Sequence, residues 1–278
     1  MRIRSGADRA YLATVVACLL VISCGISHAD TWGRVIWQDD FQDTNYTSNP
    51  AWQTFGGPGG FTQSVVDSGS GDYVFRLTAD YFGTPVDAGW AGAYVNVLEG
   101  NQGISGWVDT SAVTSDQWTA LTMLRYTPSA IGGFGTGYTM SVTNSATFGM
   151  VAQLHQLTDT GYSAITDPIV VSPGYTDLQF RFMATGSGSD VSVRGRLWAD
   201  GQPEPGDWYL NSDRPGATAG LTALYNTGFG GVGVITTESG VTADASFDNI
   251  RYGTPEPTTM ALLVTGIGAL VLRRRRTA

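Results

Sequence analysis

Imidazoles and thiols are scarce in this chain, and that scarcity bounds its chemistry. Histidine occurs twice, as His28 and His155. A metal site built from several imidazoles is therefore excluded. A nucleophilic triad would have to rest on His155 alone, because His28 lies in a segment that reads as removable. His155 sits in Val151-Ala-Gln-Leu-His-Gln-Leu157, where residues alternate, and it reads as a histidine on a strand surface. Asp39 or Asp40 near the start and Asp248 near the end would approach one another if the first and last strands pair. Carboxylates with backbone carbonyls would then suit a structural Ca²⁺ ion; without one, these aspartates cap turns or face water. Trp90 lies in Pro85-Val-Asp-Ala-Gly-Trp-Ala-Gly92, whose small residues do not bury an indole, with Asp87 just before it. An exposed Trp can stack on a sugar ring while a neighbouring carboxylate takes its hydroxyls. Trp198 and Trp208, with Tyr209, form a second possible platform at the Asp200-Gly201 turn, although most Trp in such a protein belong to the core.

The elements that must position these residues read as strands. Asp72-Tyr-Val-Phe-Arg-Leu-Thr-Ala79 alternates in polarity, and so do Leu178-Gln-Phe-Arg-Phe-Met-Ala184 and Val191-Ser-Val-Arg-Gly-Arg-Leu197, the last with Arg194 and Arg196 on the wet face. Further strands are expected at Arg34 to Phe41, Ala93 to Val97, Trp118 to Tyr126, Tyr138 to Val142, Met150 to Leu157, Gly231 to Thr237 and Ala245 to Tyr252. Clusters such as Ser68-Gly-Ser-Gly-Asp72 and Gly56-Gly-Pro-Gly-Gly60 separate them. No stretch between residues 30 and 253 offers a dozen residues of helical period. Gly228-Phe-Gly-Gly-Val-Gly233 matches a dinucleotide fingerprint in letters, but no helix follows to take a pyrophosphate. About a dozen strands in one domain point to an all-β, two-sheet antiparallel sandwich of jelly-roll type.

Charge and termini bound the setting. The 278 residues carry a formal net charge of −9, and all 15 basic residues are Arg. A nucleic-acid partner would be repelled; sugars, divalent cations and other polymers remain. At the N-terminus Arg2, Arg4 and Arg9 precede an apolar core from Tyr11 to Ile22, and Ser27-His-Ala29 offers small residues to a signal peptidase. Cleavage after Ala29 removes both cysteines, Cys18 and Cys24. Val21-Ile-Ser-Cys24 also resembles a lipobox, which would lipidate Cys24 instead; the Ala29 site is preferred because a second anchor would be redundant. At the other end Pro255-Glu256-Pro257 precedes an apolar run from Met260 to Leu272, followed by Arg273, Arg274, Arg275 and Arg276. That run makes a helix of roughly 20 Å, short against a bilayer core of about 30 Å unless the arginines snorkel.

This tail resembles the PEP-CTERM sorting signal of exported bacterial proteins. The resemblance implies an exosortase-type partner that recognises the triplet, and a finished protein at the cell surface or outside the cell. Within the domain, Arg196-Leu-Trp-Ala-Asp-Gly-Gln-Pro-Glu-Pro-Gly-Asp-Trp208, Gly230-Gly-Val-Gly-Val234 and Ser246-Phe-Asp-Asn-Ile-Arg-Tyr252 are similar to the distal half of concanavalin A-like (laminin G-like) sandwiches, with Trp37-Gln-Asp-Asp-Phe41 placed to pair beside the closing strand. Hydrolases of that superfamily carry a Glu-x-Asp-x-x-Glu strand. Here only Glu99, Glu204 and Glu238 lie in the domain, none in that pattern, and Glu204 in Gln202-Pro-Glu-Pro205 reads as structural. The expectation is three parts: a signal peptide over 1–29, a sandwich over 30–253 and a sorting segment over 254–278. Its work would be non-catalytic, in association with extracellular polysaccharide. The alternatives are a structural coat protein without ligand, and a glycan hydrolase or lyase with a non-standard carboxylate site.

Overall fold

A computed structural model of the chain describes residues 32–57, 60–69, 71–81, 88–112, 118–129, 134–145, 147–171, 175–213, 225–237 and 239–255. The expected signal peptide, Asp87, Glu238, Glu256, Pro257 and Arg273 to Arg276 lie outside the described residues.

Alternating polarity becomes strand throughout. In chain order the strands are β1 (Trp32–Asp39), β2 (Trp52–Gly56), β3 (Phe61–Asp67), β4 (Tyr73–Asp80), β5 (Gly89–Glu99), β6 (Gln102–Asp109), β7 (Trp118–Thr127) and β8 (Thr136–Ser145). They continue with β9 (Gly149–Thr158), β10 (Gly161–Ala164), β11 (Ile169–Val170), β12 (Asp177–Thr185), β13 (Ser192–Ala199), β14 (Leu210–Asn211), β15 (Gly228–Thr236) and β16 (Thr242–Pro255). Two antiparallel sheets result. The first runs β14-β13-β12-β6-β16-β4-β3, with β1 also on β16; the second runs β10-β9-β8-β7-β15-β5-β2, with β11 also on β9. The first and last strands do pair, as expected: Asp39 lies opposite Ile250 and Trp32 opposite Pro255. β16 serves two partners on one edge, β4 along Thr242 to Phe247 and β1 along Ile250 to Pro255. The changeover falls at Asn249, whose φ of 51° marks the irregularity.

The inner faces meet in one apolar core. Phe75 and Leu77 of β4, Phe180 and Phe182 of β12 and Phe247 of β16 supply bulk from the first sheet, facing Ala93 of β5, Ala120 of β7, Ala152 of β9 and Val232 of β15. Both sheets bring large and small side chains to this core, the second also Tyr138, Met140 and Leu154 and the first also Ala184 and Ala245, as close packing at native density requires. Gly230 belongs to this fit: a Cβ there would lie 2.3 Å from the ring of Tyr252.

Arg125 closes one end of the sandwich. It is fully buried and has φ 50°, at a register break in β7. Its guanidinium donates to the carbonyls of Gly100, Tyr225 and Gly186 at 2.6 to 2.8 Å, and its backbone N–H donates to Gln102 Oε1 at 2.7 Å. Burial lowers its pKa from the usual arginine value. One cation thereby ties together the β5–β6 turn, the segment after β12 and the approach to β15.

Three details depart from the sequence reading. The first strand ends at Asp39 rather than Phe41, because the Asp39 carboxylate accepts the Phe41 N–H at 2.9 Å and Phe41 turns to φ 54°. Arg196, expected on the wet face, is fully buried: Trp208 covers its guanidinium at 4.2 Å and Glu204 pairs with it at 2.5 Å. Trp90 is not in an exposed loop but in β5, where it is buried against Phe134 with ring centroids 4.6 Å apart. Its small neighbours do not cover the indole; a side chain distant in sequence does.

Candidate functional site

The outer face of the second sheet is hollow. Cross-strand register sets its floor in three rows. His155, Thr139, Met123, Gly231 and Tyr94 lie in register across β9, β8, β7, β15 and β5. The next row is Gln153, Ser141, Leu121, Gly233, Gly92 and Phe55, ending on β2. The third is Val151, Thr143, Thr119, Ile235 and Trp90. Gly233 leaves its place on the floor without a side chain and the Phe55 ring lies over Gly92, while Trp90 with Phe134 stands at one end and Tyr162 of β10 at the other. The cavity is about 190 Å³, and among the described residues no aspartate, glutamate, lysine or arginine lines it.

His155 is the one imidazole in this groove. Period-2 alternation on β9 sends Leu154 into the core and His155 outward, and the β9–β10 hairpin then folds Tyr162 edge-on against the ring at 5.1 Å. The histidine is consequently buried rather than a surface group, which corrects the reading made from its alternating neighbours. Burial lowers its pKa from 6.5 to about 4, so it is a neutral imidazole at physiological pH. Its Nδ1 lies 3.2 Å from Ser141 Oγ. Gln153 is held from the side, its Nε2 donating to the Thr166 carbonyl at 2.6 Å, and Thr119 and Thr143 share a hydrogen bond of 2.5 Å. Among the described residues no carboxylate of the groove stands beside the ring as the third member of a nucleophilic triad with Ser141 and His155.

The aspartates gather elsewhere, at one end of the first sheet. Asp39 accepts Trp52 Nε1 at 2.8 Å through one oxygen and the Phe41 N–H through the other. Asp248 is buried beside the β16 irregularity and accepts Asn249 Nδ2 at 2.7 Å. Burial raises both to about 6, with a further push from neighbouring aspartates, Asp40 among them. The structure thus brings Asp39, Asp40 and Asp248 into electrostatic contact. Among the described residues no three His, Cys, Asp or Glu side chains are grouped as metal ligands.

Trp198 and Trp208 lie on neither groove nor core. Trp198 is partly exposed on β13, opposite Gln179, and Trp208 is partly exposed over Arg196. Glu204 is structural, as the sequence indicates, bridging Arg181 at 3.0 Å and Arg196. Sequence reasoning missed the groove because its polar members, Thr139, Ser141, Gln153 and His155, come from two strands joined only by register. The period-2 placement of Gln153 and His155 was its one visible trace.

Neither a family model nor a curated protein matches the chain. Solved structures do. The chain is similar to a xylan β-1,4-xylosidase from Bacillus halodurans C-125, at TM-score 0.49 and 14% identity over 80% of this chain and 40% of that one. It is similar also to an endo-β-1,4-glucuronan lyase from the fungus Trichoderma reesei, at TM-score 0.49 and 12% identity over 80% of this chain and 96% of that one. A carbohydrate binding module from Bacillus subtilis aligns at TM-score 0.40 and 12% identity, over 70% and 96%. The chain spans well under half of the xylosidase. The likeness is one of fold, and the expected two-sheet sandwich is present. It corrects the expectation of a non-catalytic protein: sandwiches with this arrangement bear the names of glycan-cleaving enzymes as well as of a binding module. The absence of one carboxylate spacing is therefore no ground for excluding catalysis, and the non-enzymatic reading is not kept.

Proposed function

We propose that this chain is an exported glycan-cleaving protein that holds its substrate in the outer groove of the second sheet and moves a proton through His155. The observation that carries this reading is a neutral, buried imidazole on the floor of a hollow that combines hydroxyls at one end with aromatic rings at the other. Saccharides present the same two chemistries, ring faces of C–H groups and rims of hydroxyls. Hydrolysis by a carboxylate pair is disfavoured because no carboxylate among the described residues lines the groove. Elimination needs a base and a proton donor instead, and His155 with Tyr162 supplies both. The terminal segments support delivery outside the inner membrane, the N-terminal one by export and the PEP-CTERM-like one by sorting.

The test is an incubation of the purified full-length protein with a panel of polysaccharides, following ultraviolet absorbance from a new C=C bond together with new reducing ends. Elimination produces both signals. His155→Gln should lower the rate by about 10²-fold or more without changing the fold. Reducing ends without absorbance would make the protein a hydrolase, and neither signal on any glycan would end the reading.

A further inference from the structure

Independently of cleavage in the groove, we infer that the outer face of the first sheet is a second binding site, which holds an extended neutral saccharide chain across β6, β12 and β13 on two Trp-x-Asp units. Cross-strand register supplies the pattern. Trp107 of β6, Gln179 of β12 and Trp198 of β13 lie opposite one another in one row. The next row on the same face is Ser246, Asp109 and Asp177, with Asp200 beside Asp177, whose carbonyl accepts the Asp200 N–H at 3.0 Å. Period 2 thus puts each carboxylate on the face of its own tryptophan, in Trp107-Val-Asp109 and again in Trp198-Ala-Asp200.

β6 and β13 both run antiparallel to β12, and hence in the same direction as each other. The two units are therefore related by a translation of two strand spacings, about 10 Å. That is close to the length of two sugars in an extended chain. Every second ring would then meet the same pair, an indole for its face of C–H groups and a carboxylate for its hydroxyls. These two tryptophans are also the ones that the packing leaves over. Trp37, Trp52 and Trp90 lie against other rings, and Trp32 and Trp208 each cover an arginine. Trp107 and Trp198 are partly exposed, and among the described residues neither meets another ring or a cation.

The chemistry of the carboxylate row selects the occupant. Ionised, Asp109, Asp177 and Asp200 only accept hydrogen bonds. Partial burial, and then the fields of Asp109 and Asp200, raise the pKa of Asp177, so the three crowd one another. The arginine of that row, Arg76 opposite Ser246, is turned to Asp244 at 2.9 Å, and on the far side of the tryptophans Arg181 and Arg196 meet Glu204. A neutral sugar brings hydroxyl donors to such a row. A uronate brings more charge of the same sign, and a proline-rich peptide brings mainly carbonyl acceptors. Beside Trp107 the face sinks into a hollow of about 280 Å³ lined by Arg76, Asp109, Asp244 and Ser246, which gives the chain room to continue.

The test uses the full-length protein with fluorotryptophan in place of tryptophan, its fluorine NMR resonances assigned with Trp107→Phe, Trp198→Phe and Trp90→Phe. Neutral β-1,4-linked glucose, mannose and xylose oligosaccharides of increasing length are titrated in. The Trp107 and Trp198 resonances should move together along one binding curve. Affinity should rise about tenfold once the chain is long enough to touch both tryptophans. Trp198→Ala should remove that gain, while Trp198→Phe, which keeps an aromatic face, retains most of it, and Asp109→Asn should weaken binding about tenfold. Movement of one of the two tryptophans without the other, affinity that does not depend on length, or equal or tighter binding of glucuronate oligosaccharides or of a proline-rich peptide overturns the inference. Sugars that move only the Trp90 resonance would overturn it and leave the groove reading standing. Joint movement of Trp107 and Trp198 in a protein that cleaves no glycan would do the reverse.

Discussion

Buried charge decides the behaviour of individual residues here. Asp39 and Asp248 are both raised to about 6 by burial, above the value near 3.8 of an unfolded chain. The folded state then binds protons more tightly than the unfolded one between those two values. Stability is full near pH 4, falls as pH rises toward about 6, and stays lower above it, by on the order of 1–3 kcal/mol per group. Asp248→Asn removes one of these charges, so its melting temperature should exceed that of the parent by a few degrees at pH 7.5 and match it at pH 4. A mutant that melts lower than the parent at pH 7.5 would show that the Asp248 carboxylate is held by a partner that compensates its burial. Arg125 presents the opposite case, a buried cation with three carbonyl partners. Arg125→Met would strand those carbonyls and cost about 3–5 kcal/mol, and Arg125→Lys, which keeps the charge but not the fork, should fall between. Urea midpoints order the three proteins; a loss below about 1 kcal/mol for the methionine variant would deny Arg125 its role.

Among the elements, β15 sits centrally in the second sheet, and its glycines matter for space rather than for flexibility. A Cβ on Gly231 would come within 2.3 Å of the Ala93 carbonyl oxygen, whereas one on Gly149, at φ 74°, would meet nothing within 4 Å. Gly149→Ala should therefore cost about 1 kcal/mol, from its left-handed backbone alone. Gly231→Ala should cost more than twice that, because two main chains must part; equal losses in thermal melts would disprove the spacing argument. The letters of a nucleotide fingerprint in this strand are thus explained by sheet packing. Element legibility varied in the same way. β4, β9, β12 and β13 were readable because apolar side chains alternate along them, while β6, Gln102-Gly-Ile-Ser-Gly-Trp-Val-Asp109, was hidden by glycines that leave room for Trp32 and Ile250. The short edges β10, β11 and β14 have too few residues to show a period.

At the scale of the molecule, the last strand runs to Pro255, the first residue of the proposed sorting triplet, and Pro255 pairs with Trp32. A chain ending at Tyr252 forfeits the pairing of Gly253, Thr254 and Pro255 with Val35, Arg34 and Trp32, and should melt several degrees below one ending at Pro255. Sorting is a separate matter: neutral residues in place of Arg273 to Arg276 should alter the protein's distribution between membrane and exterior, and unchanged fractionation would remove the support for a sorted protein. By itself the sequence determined the all-β class and the structural place of Glu204, because strand period, turn residues and local charge are properties of neighbours along the chain; the pairing of the two ends it offered only as a condition and through a resemblance. Only the tertiary structure decided that Trp90 and Arg196 are covered, that Asp39 and Asp248 share a field, and that His155 is buried on the floor of a groove. Those facts depend on residues brought together across sheets and between loops, where burial rather than residue type sets pKa and access.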